Sequence, residues 1–137
     1  MNYIGILYGL GYIFFMYFIL RKSYPHKSYY NIFNNKIFLV HFIINIIIAA
    51  VAFYRCSLGN YKEAFFIAPL LFLIIFWILN QLTKILLKRD VIILTRGDSI
   101  PQNYNWFVDT PITILILILP LCTCGYLMNL FHFGKLF

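Results

Sequence analysis

The sequence predicts an all-α integral membrane bundle of four transmembrane helices, folded as a single membrane domain over residues 1–137. Three observations carry that expectation. The chain is 63% hydrophobic and 20% aromatic, with 11% charged residues, whereas a soluble domain carries roughly 25%. It contains four apolar runs of 18 to 21 residues, each close to the length needed to cross a hydrocarbon core. Its charges lie almost wholly between those runs. Such a chain cannot be a soluble monomer.

Span one, residues 3–20, is uncharged for 18 positions, roughly 27 Å of helix at 1.5 Å per residue. Its flanking charges, Arg21 and Lys22, follow the run, and no small-residue cleavage site is present. A signal peptide has the reverse order, so the segment is expected to stay as an anchor. Within it Gly5 and Gly9 form a small-xxx-small pattern that admits close helix approach, inside the bundle or between copies, so a homo-oligomer is compatible with it.

Span two covers residues 37–54. His41 and Asn45 are four apart and share a face with Ala49 and Ala52, a polar and small stripe that turns inward to bond across helices. A haem held by His41 and His132 is excluded by topology, because the two residues fall at opposite ends of the bundle. Span three, residues 64–83, contains Pro69, and span four, residues 111–131, contains Pro120. Each proline removes a helix hydrogen bond and is expected to bend its helix, freeing the carbonyls of Phe65 and Ile116. Asp109-Thr110-Pro111 reads as the start of span four, with Asp or Thr as cap and Pro in the first turn.

Between spans one and two lie Arg21, Lys22, Lys27 and Lys36; between spans three and four lie Lys84, Lys88, Arg89 and Arg96. The other face has only Arg55, Lys62 and Lys135. This asymmetry places the loops at 21–36 and 84–110 in the cytoplasm and both termini outside. The net charge of +7 is accounted for by orientation and anionic headgroups, so membrane lipid is a partner and nucleic acid is not. Cys56, Cys122 and Cys124 offer neither a disulfide framework nor a metal site. The sequence holds no nucleophile elbow, zinc-binding helix motif or phosphate-cradling loop, so neither an enzyme nor a cofactor is expected.

The connector at 84–110 contains three of the four acidic residues. Its length and its apolar stretches, Val91 to Leu94 and Trp106 to Val108, predict a structured loop, with Val91 to Leu94 continuing span three as an interfacial helical turn. Leu94-Thr95-Arg96-Gly97-Asp98, Phe107-Val108-Asp109-Thr110-Pro111 and Leu119-Pro120-Leu121 together resemble the second half of the inner-membrane immunity proteins that protect bacteria from pore-forming colicins. The resemblance covers about a fifth of the chain. It implies a non-catalytic protein of the bacterial inner membrane whose partner is the membrane-inserted channel domain of a toxin. Arg96, Asp98, Trp106, Phe107 and Asp109 are then the expected partner-binding residues. Two other classes fit the same composition: an accessory subunit of a larger membrane complex, and a small oligomeric pore-forming effector. Co-purification with a constant partner marks the first, and collapse of the membrane potential on expression marks the second.

Overall fold

A computed structural model describes residues 3–20, 32–94 and 100–134 of the chain. Among them the regular elements are all helical: α1 (Ile4–Leu20), α2 (Asn35–Ser57), a 3₁₀ segment (Tyr61–Ile67), α3 (Ala68–Leu87) and α4 (Trp106–His132). Three helical stretches, Asn35–Ser57, Tyr61–Leu87 and Trp106–His132, are long and apolar enough to cross a membrane. The fourth, α1, is shorter at 17 residues, about 26 Å at 1.5 Å per residue.

Side-chain contacts give the helices an alternating up-and-down order. At one end, Phe33 just before α2 meets Phe76 of α3 with centroids 5.3 Å apart, and the Tyr17 hydroxyl of α1 donates to the Leu94 carbonyl beyond α3 at 3.0 Å. At the other end, Phe53 of α2 meets Phe131 of α4 at 5.3 Å, and Tyr61 meets His132 at 4.5 Å. The core runs through the centre as Ile13, Met16, Phe72, Leu73, Phe76 and Ile116, all nearly or fully buried. The outer faces of α2 and α4 are apolar and exposed, from Leu39 to Val51 and from Ile114 to Leu119, as suits contact with lipid.

Pro69 does not bend a helix. It lies in the first turn of α3, where its missing N–H has no intrahelical partner to lose. The helix expected from residue 64 is instead a 3₁₀ segment as far as Ile67. That segment touches α1, α2 and α4, and Gly5 and Gly9 are the reason α1 can reach it. A Cβ on Gly9 would sit 2.5 Å from the Phe65 carbonyl oxygen, and one on Gly5 would sit 3.1 Å from the Phe66 ring and 3.2 Å from the Lys62 carbonyl. The glycine pair therefore works inside the bundle. Pro120 lies within α4, which continues through it to His132.

The polar stripe on α2 faces α1. Asn45 is buried along with Ala49 and Ala52; it accepts from the Tyr8 hydroxyl at 3.2 Å and donates to the His41 carbonyl at 2.8 Å. The His41 ring pairs with the Tyr12 hydroxyl at 2.9 Å. His132, on Tyr61 at the opposite end, shares none of this.

Candidate functional site: the capped end of the bundle

The site begins where α3 stops. Lys88 takes a left-handed conformation (φ 53°), its N–H closing the last turn on the Lys84 carbonyl, and the chain reverses direction. Residues 91–94 are not a continuation of α3. They fold back across the end of the bundle with Val91 and Ile93 buried, because an apolar pair at this point gains more from the core than from a helix projecting into the interface.

Three helices hold the reversed segment through its backbone. Asn80 of α3 accepts from the Val91 N–H at 2.9 Å and donates to the Asp90 carboxylate at 2.7 Å, which also pairs with Lys84 at 3.0 Å. Asp109 of α4 accepts from the Ile92 N–H at 3.2 Å. Tyr17 of α1 donates to Leu94. Residues 90–94 are thereby tied to the bundle.

Asp109 is the hub. It is fully buried and receives Arg89 through both guanidinium nitrogens, at 3.0 and 2.5 Å, and the Asn105 N–H at 2.8 Å. Arg89 also donates to the Asp90 carbonyl at 3.0 Å. Four donors thus converge on one carboxylate, enough to hold it ionised in a buried position.

The start of α4 differs from the sequence expectation. The helix opens at Trp106, not at Pro111, and its cap is Asn105, whose side chain accepts from the Phe107 N–H at 3.0 Å. Asp109 sits one turn inside and returns a bond to the cap residue's own N–H, a reciprocal arrangement akin to a capping box. Thr110 pairs its hydroxyl with that of Tyr104 at 2.8 Å.

These contacts display the residues just ahead of them. Trp106 is 59% exposed and Phe107 93% exposed. Tyr104 meets Trp106 edge-on at 5.2 Å. An open cleft of about 550 Å³ lies here, lined by Leu87, Arg89, Gln102, Asn103, Tyr104, Asn105, Trp106 and Phe107.

Of the five residues expected to bind a partner, Trp106 and Phe107 form the exposed rim, and Asp109 lies beneath it with no surface to offer. Arg96 and Asp98 fall outside the described residues. Arg89, Asn80, Asn105 and Tyr17 escaped sequence reasoning. Asn105, directly before an apolar run, was a readable cap signal masked by the stronger Asp-Thr-Pro pattern. Asn80, Arg89 and Tyr17 act through Val91, Asp109 and Leu94, which are 11, 20 and 77 positions away, beyond any local signal. Among the described residues no group of His, Cys, Asp and Glu could hold a metal. Comparison of the chain with protein families, with curated proteins and with solved structures finds no match.

Proposed function

We propose that this protein is a non-catalytic binding protein of the bacterial inner membrane, of the immunity type, that meets the membrane-inserted channel domain of a pore-forming toxin and blocks pore opening. The observation that carries the reading is the pairing of an exposed aromatic rim, Trp106 and Phe107, with a buried and fully bonded support at Asp109. Large apolar rings exposed at the end of a helix are poorly placed for solvation. Carried on a helix start whose backbone Asp109 and Asn105 fix, they suit an interface anchor, the role in which Trp is most enriched. In this reading the connector at 84–110 faces the cytoplasm with 21–36, both termini lie outside, and the toxin's helices approach the rim from within the bilayer.

The test is protection of cells against a pore-forming toxin encoded beside this protein, scored with the amount of protein in the membrane. Trp106→Ala and Phe107→Ala should each lose protection at normal abundance, with a cost on the order of 2 kcal/mol in affinity for an anchor residue. Full protection by both variants, or purification of the protein in a fixed complex without any toxin, overturns the reading and leaves the accessory-subunit alternative.

A further inference from the structure

An aromatic rim serves a partner only if it is held in one orientation, and the Asp109 carboxylate gathers the bonds that control this. The Asn105 N–H fixes the residue immediately before Trp106 at 2.8 Å; the Ile92 N–H fixes the reversed segment at 3.2 Å; Arg89, itself bonded to the Asp90 carbonyl, joins the two. The side chain of Arg89 is 16% exposed and that of Asp109 is not exposed at all. An ion pair so sequestered adds little net stability, because desolvation offsets the attraction, and an apolar pair of equal volume would hold α3 and α4 together as well. A forked guanidinium on a carboxylate adds direction: two parallel bonds fix both planes, which apolar packing does not.

We propose that Arg89 and Asp109 are the positioning pair of the partner-binding rim, holding Trp106 and Phe107 in the docked orientation before the partner arrives. The inference rests on the binding reading above. It adds that affinity depends on two residues the partner need not touch, because ordering the rim in advance removes that cost from the binding step.

The experiment uses the full-length protein in lipid nanodiscs with Trp77→Phe, which leaves Trp106 as the sole tryptophan of the two in the chain. Its fluorescence anisotropy and its quenching by acrylamide report on the rim without any toxin. The double variant R89Q/D109N discharges both partners and keeps one acceptor oxygen, so that of the Ile92 and Asn105 N–H groups, which bond different oxygens of Asp109, one retains its acceptor and the other loses it. It should accumulate with unchanged helix content, lower Trp106 anisotropy, increased quenching and about ten-fold weaker protection, the factor carried by roughly 1.4 kcal/mol. Arg89→Lys, which keeps the charge but loses the fork, should fall between it and the wild type, and it takes the same measurements if the double variant does not accumulate. Wild-type anisotropy and quenching in the variant that accumulates overturn the proposal. So does full protection by that variant where Trp106→Ala protects poorly, a result that leaves the binding reading intact. Lowered anisotropy combined with full protection by Trp106→Ala removes the immunity reading but upholds the pair as what orders the rim.

Discussion

At the scale of single residues, the cost of a change depends on what it leaves behind. Asp109→Asn alone strands the Arg89 guanidinium in a site where it is 16% exposed, and breaking one side of a buried pair costs about 3–5 kcal/mol. Removing both charges avoids that penalty. The melting temperature in detergent should therefore fall further for Asp109→Asn than for R89Q/D109N, and a double variant less stable than either single one would contradict the account. The α1–α2 contact works at a smaller magnitude. Asn45→Leu deprives the Tyr8 hydroxyl of its acceptor, and such bonds between membrane helices contribute about 0.6 kcal/mol on average. A small drop in melting temperature at full abundance is expected, well short of the effect at Asp109.

Among the elements, the seam between α1 and the 3₁₀ segment makes the sharpest comparison. Gly9 has the Phe65 carbonyl where a Cβ would go, whereas Gly11, two residues on, has nothing within 4 Å. Gly9→Ala should destabilise the protein by about 1–3 kcal/mol through overpacking against backbone, while Gly11→Ala should leave it as stable or more so. Thermal unfolding of the two variants side by side checks this; equal effects would mean that the seam is loose. The glycine pattern was legible in the sequence, as were the four helices and the inward stripe at Asn45, because each follows from periodicity and composition within one run. Pro69 reads in the sequence as a bend inside a helix, whereas it stands in the first turn of one, because an apolar 3₁₀ segment has the same composition as the helix it precedes. The cap of α4 was misplaced by one turn because Asp109 serves both a helix start and an ion pair. The fold-back of 91–94 depends on Asn80, Asp109 and Tyr17, residues with no local relation to it, so the site's rim could be read and its support could not.

For the whole molecule, the alternating order places the segments around 33, 91–94 and 100–107 at one end and those around 53–63 and 132 at the other. In the proposed orientation the first end is cytoplasmic. With Cys56, Cys122 and Cys124 replaced, a cysteine introduced at the exposed Asn60 should react with an impermeant maleimide added to intact cells, and one at the exposed Gln102 should react only after lysis; the opposite pattern inverts the topology. The glycine seam has a consequence for biogenesis as well. The backbone-close contacts of α1 are with a 3₁₀ segment more than 40 residues later in the chain, so they form only after that segment has been made. Two separately translated fragments, 1–27 and 28–137, should reassemble into a protein that co-purifies as one, and Gly9→Ala in the smaller fragment should abolish that reunion even where each piece inserts normally. The seam is then a complementation key, readable by fragment exchange without knowledge of any partner.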